Sequence, residues 1–132
     1  MKSLFAILVI FLLVTTVQAQ YGGGTGEPNN PYLIYTAEHL NAIGTEPNDW
    51  SKHFKLMADI DLSDYNYNKA LIAPDDNFNK WSYQGIPFTG LFNGNGYTIS
   101  HLTFKGVDCL GLFGRVGSVG KVMNLGVKGR SK

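Results

Sequence analysis

From Phe54 to Leu62 the chain alternates without a break. Phe54, Leu56, Ala58, Ile60 and Leu62 share one face, and Lys55, Met57, Asp59 and Asp61 share the other. A period of two marks a strand buried on one side. Upstream the period lengthens. Leu40 and Ile43 lie three apart, Thr36 precedes them as an N-cap, Glu38 sits in the first turn and Gly44 follows as a stop. That pattern predicts a helix over about 36–44. Tyr35 and Leu40 have the spacing of a hydrophobic staple, but His39 stands where a capping box places Glu or Gln, so the cap is predicted to be incomplete. Two helical turns do not persist alone in water, so this helix must dock. "YLIY" (32–35) predicts a short strand, and 20–31, with its Gly, Pro and Asn punctuation, a flexible lead-in. Residues 63–87 read mainly as loop, with a short strand at "ALIA" (70–73).

The C-terminal half repeats itself. "TGLFNGNG" (89–96) and "LGLFGRVG" (110–117) both carry Gly-Leu-Phe. Aligning the triplets brings Ile99 over Val122, Leu102 over Leu125 and Phe104 over Val127, a unit of roughly 21–23 residues within the range of repeat folds. The Leu-x-x-Leu-x-Leu-x-x-Asn string of leucine-rich repeats is missing. Short strands between glycine corners instead predict a parallel β-helix, with leucine inside each coil and glycine wherever coils approach. Gly111 and Gly114 are therefore expected to be structural, and Gly22 tolerant. Thr36 to Gly44 is expected to lie across the N-terminal end of the stack and to bury Leu40 and Ile43.

Composition changes the picture in two ways. Lys2, an apolar run from Leu4 to Val17, and Val17-Gln18-Ala19 have the three-part form of a secretory signal peptide over 1–19. The run is shorter than the ~20 residues of a membrane span, so export to the extracellular space or cell surface is predicted, with no span after cleavage. Cys109 is the single cysteine, which excludes an internal disulfide and reads as a small buried hydrophobe. Charge is balanced overall but divided. Residues 20–76 hold nine acids and three lysines, whereas 77–132 hold seven bases and Asp108. A neutral exported chain is not expected to bind nucleic acid.

"FTGLFNGNGYTISHLTF" followed by "LGLFGRVGSVGKVMNLGV" resembles the GLUG-motif proteins of bacterial surfaces, whose Gly-Leu-x-Gly core stands here as Gly111-Leu112-Phe113-Gly114. The preceding blocks, "PYLIYTAEHLNAIG" and "HFKLMADIDLS", resemble the segment ahead of the first repeats in that family. The resemblance implies a right-handed parallel β-helix used in adhesion or in large surface proteins. It carries over no catalytic residue. The family shows several such cores; here there is one full copy and the variant "GLFN".

Candidate chemistry is sparse. Asp59 and Asp61 point the same way, about 6–7 Å apart by strand geometry, a spacing open to a carboxylate pair or a cation. An EF-hand loop fails, because Asp64 replaces its glycine and Ala70 its final glutamate. His39, His53 and His101 lack metal-ligand spacing, and no serine sits in a nucleophile elbow. The loop 65–83 carries Tyr65, Tyr67, Phe78, Trp81 and Tyr83 among amides and carboxylates. Rings beside polar groups suit sugars, so Tyr65, Tyr67, Trp81 and Tyr83 are candidate carbohydrate ligands; the competing reading folds these rings back over the stack. The sequence thus predicts a mostly-β solenoid, 32–132, with a short capping helix, serving as a non-catalytic surface scaffold or adhesion segment without cofactor or metal. A carbohydrate-binding module and part of a polysaccharide-degrading β-helix are the alternatives. Expected partners are an extracellular glycan or surface protein, and further repeats of the same polypeptide. No helix signal follows Val127, so extra downstream coils are expected to complete the stack.

Overall fold

The computed structural model describes residues 20–76, 82–105 and 110–129. Four short strands, β1 (Tyr32–Ile34), β2 (His53–Leu56), β4 (Leu91–Asn93) and β6 (Lys121–Met123), form one parallel sheet in the order β1-β2-β4-β6. Three more, β3 (Ile60–Asp61), β5 (Thr98–Leu102) and β7 (Gly126–Gly129), form a second parallel sheet. β1 and β2 are neighbours in both sequence and sheet; from β2 onward the chain alternates between the sheets, so later neighbours in a sheet are two strands apart in sequence. The protein is mostly strand, with one helix, α1 (Ala37–Gly44), and a 3-10 turn (Pro47–Asp49) among the described residues.

The register explains the core. Tyr32, Phe54, Phe92 and Val122 stand opposite one another across the first sheet, and Ile60, Ile99 and Val127 across the second. Phe54 and Phe92 stack with ring centroids 6.4 Å apart, and Phe54 lies 6.2 Å from Phe88. All three are fully buried. Each such ring contributes roughly 1.5–3 kcal/mol by leaving water, and in-register stacking lets every pass add one to the column. Isolated bridges Tyr67–Phe104, Ile72–Phe113 and Phe88–Val116 carry the alignment beyond the strands. "ALIA" lies inside this wall: Ala70 to Ala73 are all buried.

The pairing corrects the repeat alignment. Ile99 faces Val127 rather than Val122, Phe104 faces Tyr67, and the second Gly-Leu-Phe triplet faces Ile72, not the first triplet. One pass takes more chain than the triplet spacing implies. Both triplets aim a phenylalanine at the same core, where Phe113 meets Phe92 nearly edge-on at 5.6 Å, but from different walls. The two glycines of "GLFG" also differ. A Cβ on Gly114 would fall on the Ala73 carbonyl of the neighbouring pass, whereas one on Gly111 meets nothing closer than 3.4 Å. Gly90 resembles Gly114, because its Cβ would fall on the Lys52 carbonyl.

A second correction concerns 20–31, expected as a flexible lead-in. Gly22 N–H donates to Leu33 O (2.8 Å), Leu33 N–H to Gly23 O (2.9 Å), and His53 N–H to Gly26 O (2.9 Å). Tyr21 is buried, packs edge-on against Phe54, and donates its hydroxyl to Asp49 Oδ2 at 2.9 Å. Burial and that carboxylate push the Tyr21 hydroxyl well above the ordinary tyrosine range. The glycines serve a close fold-back. Gly24 has φ +85°, and a side chain there would strike the Pro31 carbonyl. Gly22 is not tolerant either, since its Cβ would enter the Tyr35 ring.

Helix α1 packs against the chain that follows it, with Trp50, Tyr65, Tyr67 and Leu71 as neighbours. Thr36 Oγ1 accepts from His39 N–H (3.1 Å), and His39 Nδ1 in turn accepts from Tyr35 N–H (3.1 Å). Histidine thus supplies a reciprocal bond of the kind expected from Glu. Leu40 and Ile43 are fully buried, and Ile43 O accepts from the Trp50 indole at 2.7 Å. Gly44 has room for no side chain because the Leu71 carbonyl lies against it; Thr45 then turns the chain and bonds back to Ala42 O.

Candidate functional site

The aromatic candidates are divided among different neighbours. Tyr65 and Tyr67 lie together, rings stacked at 6.4 Å, and both hydroxyls are turned to helix α1. Tyr67 donates to Asn41 Oδ1 (2.5 Å) and Tyr65 to Glu38 Oε1 (3.3 Å). The Tyr67 ring also packs on Phe104 at 6.0 Å. Burial raises both hydroxyls above their ordinary pKa, with the Glu38 charge adding to the effect at Tyr65. Glu38 itself is held below the usual carboxylate range by backbone N–H donation and by Thr36. Tyr83 belongs to another region. Its hydroxyl donates to Ala73 O (2.6 Å), and Arg115 lies 5.8 Å from its ring centre. Trp81 and Phe78 lie outside the described residues, as does Cys109. Tyr65, Tyr67 and Tyr83 therefore clamp the fold with their hydroxyls. Beside Tyr67 a shallow cavity of about 310 Å³ is lined by Asn41, Thr45, Asn68 and Lys69.

The two strand carboxylates are also occupied. Asp59 Oδ1 accepts from Thr98 N–H at 2.8 Å, tying the turn before β3 to β5. Asp61 Oδ1 accepts from Ser63 N–H (2.9 Å) and lies 2.8 Å from His101 Nδ1. Ser63 and His101 hold the Asp61 carboxyl below its ordinary range. His101 is held with φ +60°, unusual for a side-chain-bearing residue, and this turns its ring to Asp61. Among the described residues no three His, Cys, Asp or Glu side chains gather as a metal site.

A feature the sequence reading did not single out lies on the outer face of the first sheet. The turn bearing Pro28, Asn29 and Pro31 forms one wall, and His53, Lys55, Leu91, Asn93 and Met123 supply the floor and far wall of a groove of about 460 Å³. Its signal was already present in the alternation that put Lys55 opposite Phe54 and Leu56. What the alternation left unstated was that the folded-back lead-in would wall that face. The remaining special surface is the back end. Val119 (72 % exposed), Val122 (39 %), Met123 (41 %) and Val127 (47 %) are open, and β6 and β7 each have one strand neighbour.

Two relatives resemble this chain. A protein of Evansella cellulosilytica described as a Gly-rich membrane protein is 35% identical over 131 residues, covering 96% of this chain and 14% of that protein. Halomucin of Haloquadratum walsbyi is 35% identical over 117 residues, covering 83% of this chain and 1% of halomucin. The chain thus spans a small part of the length of either relative. No protein-family model matches it, and no solved structure gives a significant match. Among the described residues no helix is long and apolar enough to cross a membrane.

Proposed function

We propose that this chain is a scaffold segment of an exported, surface-associated protein: a right-handed β-solenoid of the GLUG type without catalytic activity of its own. The observation that carries the reading is the unequal covering of the ends. At the front, α1 buries Leu40 and Ile43 in the common core; at the back, Val122 on β6 and Val127 on β7, the register partners of the buried Phe92 and Ile99, are exposed. Such an end fits continuation of the same architecture, since stacked units gain stability from each interface. The three-part signal pattern at 1–19 supports export, and the names of the two much longer relatives support a surface setting. The commitment of the Tyr65, Tyr67 and Tyr83 hydroxyls to the protein itself favours the scaffold over a sugar platform built from 65–83.

Hydrogen exchange tests this. In the 20–132 chain the amides of β6 and β7 should exchange far faster than those of β2 and β4. Appending one further parallel coil should slow them and raise the unfolding midpoint. Protected β6 and β7 amides in a monomeric 20–132 chain, unchanged by the added coil, would refute it.

A further inference from the structure

We propose that the groove on the outer face of the first sheet binds an acidic polysaccharide, a run of uronic-acid residues lying across β2, β4 and β6. The charge of the site is one-sided. Lys55 lines the groove, and Lys121, two residues before Met123 and so on the same face, extends it. Neither ammonium has a side-chain partner among the described residues. Lys52, which is paired with Glu27 at 3.8 Å, is not among the lining residues, and these include no carboxylate.

The remaining lining matches the rest of a sugar. Pro28, Pro31 and Leu91 offer the apolar surfaces on which pyranose C–H faces lie. Asn29 and Asn93 offer amides for hydroxyls. The Asn93 carbonyl is already used by Asn95 N–H at 2.8 Å, which leaves its NH2 group to donate.

Register supplies the third argument. His53, Leu91 and Lys121 form one row across the strands, and Lys55, Asn93 and Met123 form the next. Each step is ~4.8 Å, close to the advance of one pyranose unit along an extended polysaccharide. A polymer crossing the strands therefore meets a new pair of side chains at each sugar. A single-stranded nucleic acid would want stacking rings along such a groove, and Phe54, its one benzene ring, is turned inward and fully buried.

The test is calorimetric titration of the full chain with polygalacturonate oligomers, their methyl esters and neutral amylose oligomers. The acid oligomer should bind, weaken with added salt, and exceed the ester and the neutral sugar by at least about tenfold, the scale of one charge-assisted contact. The double variant Lys55→Gln, Lys121→Gln should lose at least about tenfold while its circular dichroism and unfolding midpoint stay unchanged. Lys128→Gln on β7 should bind as the parent does. The proposal is overturned by absent binding, by equal binding of the ester, or by undiminished binding in the double variant. Equal affinity for inorganic polyphosphate overturns it too, because general anion attraction would then suffice.

Discussion

The front and back of this molecule are built from the same kind of strand, yet they bury very different amounts of it. At the front, α1 is tied to the chain that follows it through Trp50, Tyr65 and Tyr67; at the back, β7 carries nothing among the described residues. The contrast shows in equivalent positions of one ladder. Phe92 is fully buried, and its register partner Val122 is 39 % exposed. Ile60 is 2 % exposed, Ile99 is fully buried, and Val127 is 47 % exposed. Strand register alone therefore does not make a core residue. A second covering layer is needed, and here it comes from helix, lead-in and the neighbouring pass.

That contrast can be broken most sharply at the ladder itself. Phe92→Ala should destabilise by about 3–5 kcal/mol, because it opens a cavity in the phenylalanine column. Val122→Ala, in the same row, should stay within about 0.5 kcal/mol, as at an ordinary surface site. Urea midpoints of the two variants measure the difference, and comparable losses would mean that the back end is covered in solution.

Glycine gives the next largest effect. Gly114→Ala and Gly90→Ala should each cost about 1–3 kcal/mol, since the added methyl displaces a carbonyl of the adjoining pass. Gly111→Ala has space and should be nearly silent. Thermal unfolding of the three variants reads this ranking, and equal melting temperatures would count against the close approach described for Gly114.

Smaller is the helix cap. Thr36→Ala should lose about 1 kcal/mol, and α1 amides should exchange faster while those of β6 and β7 do not change. Accelerated exchange at both ends would show that front and back unfold as one unit rather than separately.

The smallest effect is that of pH. Glu38 and Asp61 have folded pKa values below their unfolded ones, so each stabilises the fold above the unfolded value. That contribution is lost as pH falls through the lower, folded value. Acidification should therefore loosen α1 and the Asp61–His101 contact while the back end keeps its exchange rates. Glu38→Gln should flatten the acid limb of the stability profile, and an unaltered limb would remove Glu38 from the account.

Much of this was legible in the sequence because it depends on neighbours a few residues away. The alternation at 54–62 marked the buried residues Phe54, Leu56, Ile60 and Leu62, although the single strand it predicts is broken after Leu56 and its two halves, β2 and β3, join different sheets. Thr36, Leu40 and Ile43 marked the buried face of α1. Both signals arise from local geometry, a period of two or of about 3.6 set by the backbone itself.

What only the tertiary structure decided depends on contacts far along the chain. The two Gly-Leu-Phe triplets look equivalent in sequence, but pairing follows which side chains fill the common core, and loops of unequal length put the triplets on different walls. The glycine-rich 20–31 reads as loose punctuation, although its carbonyls and N–H groups find partners on β1 and β2 and Tyr21 finds the Phe54 column. Tyr65 and Tyr67 offered rings to a ligand on paper; in the fold, Glu38 and Asn41 take their hydroxyls. The groove over β2, β4 and β6 exists only because parallel register aligns Lys55 with Asn93 and Met123. Local pattern decides which side of a strand faces water, and long-range packing decides what stands beside it there.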